Sequence, residues 1–198
     1  MSAPSLRILV IDANRIRASI IEEGLREAGD AQVTVVEDTS QVMRRIVDID
    51  PDVIIIDLED PNRDVLEHMF QVSRAATRPV AMFVDRTDQS MIEAAVEAGV
   101  SAYIVDGLKK ERVRPIVDTA ISRFAAFDRL RRELVDAKSQ LAERKTIDRA
   151  KGILMRSKGI SEEAAYQLLR KTAMNQNRKI AQVAESLVTA AGLLGKGE

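Results

Sequence analysis

Val53–Leu58, VIIIDL, is an unbroken apolar run that closes on a carboxylate, Asp57. A strand with one wet face alternates apolar and polar residues; a continuous branched run is expected of a strand covered on both faces. Upstream, Leu6–Ile11 (LRILVI) reads the same way and ends on Asp12. Downstream, Val80–Val84 and Ala102–Val105 are shorter runs of the same kind, and Val33–Val36 completes five strands. Helical segments separate them. Asn14 is placed to cap Arg15 to Ala28, where Ile16, Ile20 and Ile21 recur at helical spacing. Gly24 interrupts that helix and Gly29 can end it. Ser40 can cap a helix through Ile49 that must stop before Pro51. Val65–Ala76 and Gln89–Ala98 read as helices, and a fifth starts near Lys110 with Pro115 close to its first turn. Strands alternating with helices predict an α/β domain with a five-stranded parallel sheet, flavodoxin-like. Chemistry in such a domain sits at the carboxyl ends of the strands, where Asp12 and Asp57 lie.

The helix starting near Lys110 shows no break. Phe127, Leu130, Leu134, Ala137 and Leu141 follow a three–four spacing with charged residues around the seam. That pattern predicts a short coiled coil, with Phe127, Leu130, Leu134 and Leu141 as the dimerisation seam of a homodimer. The alternative is a stripe that packs on its own domain. Residues 141–198 read as three helices: one ending near Lys158–Gly159, one capped by Ser161 and running to about Met174, and one from Lys179 to about Ala191. The expected domains are 1–123, a linker helix over 124–143, and an all-α domain over 144–198.

Composition narrows the function. The chain has 198 residues, 30 Lys+Arg, 31 Asp+Glu and a net charge of -1, so it is not a nonspecific polycation. It has no cysteine and one histidine, His68, which removes disulfides, thiolate chemistry and a multi-histidine metal site. No apolar run reaches the length of a membrane span, and Met1–Val10 lacks a signal-peptide core, so a cytoplasmic protein that binds no membrane is expected. The charge is unevenly spread: residues 1–140 carry 19 basic against 25 acidic side chains, and residues 141–198 carry 11 against 6. The back of the chain is the part suited to a polyanion.

An acid after the first strand and an Asp at the end of the third resemble the receiver domain of two-component response regulators over residues 6–123. In that family the third-strand Asp accepts a phosphoryl group, an acidic pair helps to hold Mg²⁺, a hydroxyl residue ends the fourth strand and a Lys ends the fifth. The resemblance makes Asp57 the phospho-acceptor-like residue and Asp12 the pocket acid, with Tyr103 matching an aromatic. Three positions depart: Ala13 replaces the second acid, Val84 the hydroxyl and Asp106 the Lys. A degenerate receiver used for protein interaction is therefore expected, with no cofactor; Mg²⁺ at Asp12 and Asp57 is the alternative. A turn or N-cap role is the alternative for Asp57.

The run IDRAKGILMRSKGISEEAAYQLLRKTAM, Ile147–Met174, closely resembles the ANTAR domain, a three-helix RNA-binding module of bacterial antiterminators. Receiver, helix and ANTAR are the layout of the AmiR/NasT-type regulators, and the front of the chain is most like their nitrate-assimilation members. The resemblance implies leader-mRNA hairpins as ligand and control by a sensor or repressor similar to a nitrate-binding protein. On a helical wheel at about 100° per residue, Ile147, Ala150, Lys151 and Leu154 share one side. Lys145, Arg149 and Arg156 fall opposite, within roughly 40°. The expected RNA-binding set is Lys145, Arg149, Lys151, Arg156, Arg170, Lys171, Arg178 and Lys179. A solvated charged face is the alternative.

Tyr166 is expected in the core, stacking on a base being the other reading; Met155 and Met174 are expected as core filler. His68 is expected on a helix surface or partly buried, and not as a ligand. Gly152 costs helix stability and permits close approach of a helix or of RNA. Two other functions compete with antitermination: a phosphorylation-activated, DNA-binding response regulator, and a phosphorelay protein or enzyme. No nucleophile–base pair or phosphate loop supports an enzyme.

Overall fold

Side chains on alternate residues of a strand point to opposite faces, so VIIIDL can be buried throughout only if both faces are covered. The computed structural model, which describes residues 5–27, 29, 31–38, 41–59 and 62–194, has that arrangement. Strands β1 (Leu6–Ile11), β2 (Ala31–Val36), β3 (Val53–Leu58), β4 (Val80–Val84) and β5 (Ala102–Val105) form one parallel sheet in the order β2-β1-β3-β4-β5. Ile54 and Ile56 join Leu9, Ile11 and Met82 in the core on one face. Val53 and Ile55 join Ile8, Val10 and Phe83 on the other. β3 lies between β1 and β4, with Ile11 opposite Ile56 and Asp57 opposite Phe83. The carboxyl ends of these three strands therefore meet.

Helices α1 (Arg15–Glu27), α2 (Val42–Ile49), α3 (Arg63–Ala75) and α4 (Gln89–Glu97) connect the strands. Asn14 caps α1 as expected, its side chain accepting from the Ile16 N–H at 3.0 Å. Asn62 and Asp88 cap α3 and α4. The Ser40 cap and the Ala28 helix end lie outside the described residues. The apolar stripe of α1 differs from the expected one: Ala18, Ile21 and Leu25 are buried and Ile16 is exposed. Gly24 is needed for packing, because a Cβ there would lie 2.5 Å from the Lys110 carbonyl oxygen. The absence of a side chain lets α1 meet the start of the next helix.

That helix, α5, runs unbroken from Lys110 to Lys158, 49 residues, so the segment expected as a linker over 124–143 is its middle. The chain divides into two compact units, Met1–Asp128 and Arg129–Glu198. In the second unit, α6 (Glu162–Asn175) and α7 (Ile180–Leu194) follow α5. Gly159, at φ 64°, closes α5, and the Ser161 hydroxyl caps α6 by accepting from the Ala164 N–H at 3.2 Å. The core here is Ala150, Leu154, Ala165, Leu169, Ala173, Val183 and Ala184. Small residues let the end of α5 pack closely with α6 and α7. Among the described residues no helix is long and apolar enough to cross a membrane.

A closed carboxylate pocket and an open basic helix face

Asp57 and Asp12 are both buried where β3 and β1 end. A buried carboxylate needs a partner. For Asp57 it is Arg17, which the first turn of α1 carries over the strand ends. Arg17 grips Asp57 with two donors: Nε to Oδ2 at 2.8 Å and Nη2 to Oδ1 at 2.8 Å. The third reach of the fork, Nη1, lies 2.9 Å from Asp85, the residue after β4. The Asp57 side chain is fully enclosed and that of Arg17 only 17% exposed. The Asp57 and Asp85 carboxylates hold the guanidinium pKa well above its ordinary value, the hydrogen bonds to Asp57 being the largest cause. Asp57 is thus a strand residue in a bidentate pair, not a turn or cap residue.

Asp12 is less well served. Its Oδ1 accepts from the Asn14 N–H at 2.7 Å, whereas Oδ2 has no partner among the described residues. Burial raises its pKa to about 6, the Asn14 bond partly opposing this and the Asp57 charge adding to it.

The positions that depart from the receiver pattern are also placed. Val84 is buried at the end of β4. The next hydroxyl along the chain, that of Thr87, lies 3.0 Å from the Tyr103 hydroxyl. Asp106 is exposed, at φ 46°. Magnesium needs several oxygen ligands in octahedral geometry. Here Ala13 supplies none, both Asp57 oxygens are bound to Arg17, and no group of three acids or histidines could hold a metal among the described residues. The pocket does not fit the cation.

Sequence reasoning missed Arg17 and Asp85. The available signal was the unmatched charge: with the Lys position reversed, a buried Asp57 required a cation from elsewhere, and Arg17 lies five residues beyond Asp12.

The second unit presents the opposite situation. Lys145, Arg149 and Arg156 are exposed on α5, away from the buried Ala150 and Leu154. No hydrogen bond or ion pair holds any of the three among the described residues. Gly152 lies in the same stripe. A Cβ there would meet only the Arg156 guanidinium, at 3.5 Å, so no helix of this chain exploits the gap. Arg170, Lys171 and Lys179 are exposed too, and Arg170, Met174, Asn177 and Lys179 line an open hollow.

Two of the eight expected RNA contacts are committed within the protein. Lys151 Nζ lies 2.7 Å from Asp148 and 2.6 Å from Glu162, tying α5 to α6. Arg178 bonds the Gln182 carbonyl at 3.1 Å and the Ser186 hydroxyl at 3.0 Å, fastening the start of α7. Three expectations about packing are corrected. Tyr166 and Met174 are 40% and 71% exposed, and Met155 is exposed as well; the buried line of α6 is Ala165, Leu169 and Ala173. His68 is exposed, as expected.

The coiled-coil seam has no cover among the described residues. Phe127, Leu130, Leu134 and Leu141 are exposed, and every residue over 129–145 is exposed.

Sheet order, the buried carboxylate near the end of β3 and the packing of the end of α5 with α6 and α7 define a receiver-type regulator with a separate output module. The response regulator receiver domain pattern matches residues 8–118, more than half of the chain, and the ANTAR domain pattern matches residues 135–188. The chain belongs to the response regulators, as a member that joins a receiver domain to an ANTAR domain. It is similar to the transcriptional regulatory protein PdtaR of Mycobacterium tuberculosis, 26% identical over 94% of this chain and 91% of that protein. It is also similar to the nitrate regulatory protein of Klebsiella oxytoca, 43% identical over 31% of this chain but 15% of that protein. A response regulator from Thermotoga maritima shares the receiver fold, with a TM-score of 0.52, 18% identity, 60% of this chain and 98% of that one.

Proposed function

We propose that this chain is an RNA-binding antitermination regulator. It grips hairpins in leader mRNA of nitrate and nitrite assimilation genes and keeps a terminator from forming. The observation that carries the reading is the row Lys145, Arg149 and Arg156, exposed and without acid partners among the described residues, in a domain where Lys151 and Arg178 are held internally. Unpaired Arg forks suit phosphates and the edges of unstacked loop bases. The glycine gap at Gly152 admits a backbone close to α5. The likeness to a nitrate regulatory protein supports the choice of target genes.

The protein acts as a homodimer through residues 124–143. A helix exposed on all sides over 129–145 is marginal alone, because short isolated helices lose to chain entropy. A second copy covering Phe127, Leu130, Leu134 and Leu141 removes that cost and presents two matching RNA sites. Leu130→Glu together with Leu134→Glu is expected to give a monomer by sedimentation. Affinity for a two-hairpin leader then falls by about 10²-fold or more through lost avidity. Control comes from a sensor or repressor similar to a nitrate-binding protein, which docks on the degenerate receiver. The soluble chain carries no catalytic centre in this reading.

The test is binding to a two-hairpin leader RNA against duplex DNA of equal length across a salt series. Preference for RNA sustains the proposal. Equal binding reduces the stripe to a nonspecific polyanion patch, and preference for DNA favours a DNA-binding response regulator.

A further inference from the structure

We propose that Arg17 is a tethered counter-ion that takes the place of a divalent cation, closing Asp57 to metal and to phosphoryl transfer and holding the pocket in one arrangement. The proposal concerns the receiver unit alone and stands whether or not the chain binds RNA.

Phosphoryl transfer to a carboxylate requires one of its oxygens to attack phosphorus while the leaving group departs in line. That oxygen needs a free lone pair, an open approach and a cation to neutralise the incoming phosphoryl oxygens. Asp57 lacks the open approach and the free cation, and a lone pair on each of its oxygens is already engaged. Arg17 Nε and Nη2 engage both oxygens at 2.8 Å, a planar fork matched to a carboxylate. The carboxylate has no exposed surface from which a donor could reach it. The nearby positive charge is already spent on Asp57 and on Asp85 at 2.9 Å.

The guanidinium also excludes the metal. A divalent ion bound to an Asp57 oxygen would face a fixed positive charge at hydrogen-bond range. Asp12 alone would remain to offset it, since residue 13 is alanine. Arg17 cannot drift away easily. It is anchored by α1, whose start is fixed through Asn14, and by carboxylates at the ends of two neighbouring strands. A guanidinium stays charged at any physiological pH, so the lock has no acid–base release of its own.

Three measurements on the full chain test this. First, wild-type protein is incubated with acetyl phosphate and Mg²⁺ and weighed intact. It is expected to stay unmodified; addition of one phosphoryl group that Asp57→Asn abolishes overturns the proposal. Second, Mn²⁺ binding is followed by electron paramagnetic resonance. Wild type is expected to leave the Mn²⁺ free, and the Ala13→Asp/Arg17→Gln double variant to gain one site. A wild-type site that disappears in Asp57→Asn, or a folded double variant that binds no Mn²⁺, overturns the proposal. Third, if the double variant does not fold, exchange of the Arg17 Nε–H in wild type decides by NMR. The expected result is exchange at least tenfold slower than at the unpaired Arg149; an equal rate overturns the proposal.

Discussion

At the carboxyl end of the sheet, Arg17 lies among Asp57, Asp85 and Asp12, and the protein spends its charge on itself. On the last part of α5, Lys145, Arg149 and Arg156 stand in a row with no acid paired to them among the described residues. The first arrangement minimises what a ligand could gain, because any newcomer must displace a buried bidentate pair. The second leaves the gain on offer, since exposed cations give up little on meeting phosphate. Within one chain, the unit whose fold suggests phosphate chemistry is shut to it. The second unit leaves Lys145, Arg149 and Arg156 exposed and unpaired among the described residues.

The contrast can be broken most directly at the open end. Arg149→Ala with Arg156→Ala is expected to lower hairpin RNA affinity by about 10²-fold and to reduce the slope of log affinity against log salt by about one to two. Melting temperature should not change, because both side chains are exposed and unpaired. Unchanged affinity in a filter-binding salt series would leave the row as a solvated face.

At the closed end, Asp12→Asn is expected to stabilise the receiver unit above pH 6. The folded chain keeps the Asp12 proton up to about pH 6, while the unfolded chain releases it near 3.8. Between those values the folded state binds the extra proton, so the Asp12 contribution to stability falls as pH rises, then stays constant above 6. The gain on removing the charge is therefore up to about 3 kcal/mol at pH 7 and vanishes near pH 3. Urea denaturation of the two proteins at several pH values measures it; a gain that is the same at every pH would contradict the assignment.

Gly152→Ala separates fold from function on the open face. A Cβ fits beside Arg156, and replacing a mid-helix glycine stabilises by up to about 1 kcal/mol. RNA binding should weaken nonetheless, because the gap is filled. A variant that gains stability and keeps full affinity would place the RNA elsewhere. The smallest effect is expected at Lys151→Ala: a slight fall in melting temperature from the lost α5–α6 tie, with the salt slope of RNA binding unaltered. A reduced slope would return Lys151 to the contact set.

The sheet was legible because burial on both faces leaves little room for polar residues, and Leu6–Ile11, Val53–Leu58, Val80–Val84 and Ala102–Val105 have the expected bounds. The carboxylates at the strand ends were legible for the same reason: a charge that stops an apolar run stands out. Arg17 was not, because an arginine in an amphipathic helix looks like any surface cation until the strand ends beneath it are known. The face of α6 misled for a different reason. Its buried line is made of Ala165, Leu169 and Ala173, so the larger Tyr166 and Met174 suggested the wrong side. Among the cations, the wheel already put Lys151 beside Ala150 and Leu154, opposite Arg149; its tie to Glu162, arriving from the next helix, was not legible.

A covalent phosphoryl switch carries a clock, since hydrolysis of the acyl phosphate resets it whether or not the stimulus persists. The Arg17–Asp57 pair has no such clock. A regulator built on it draws nothing from the cell's pool of energy-rich phosphates and keeps no memory of a past signal. Under the proposed control by a partner, its response would last as long as that partner stays bound, and its set point would follow the relative abundance of two proteins rather than the turnover of a kinase.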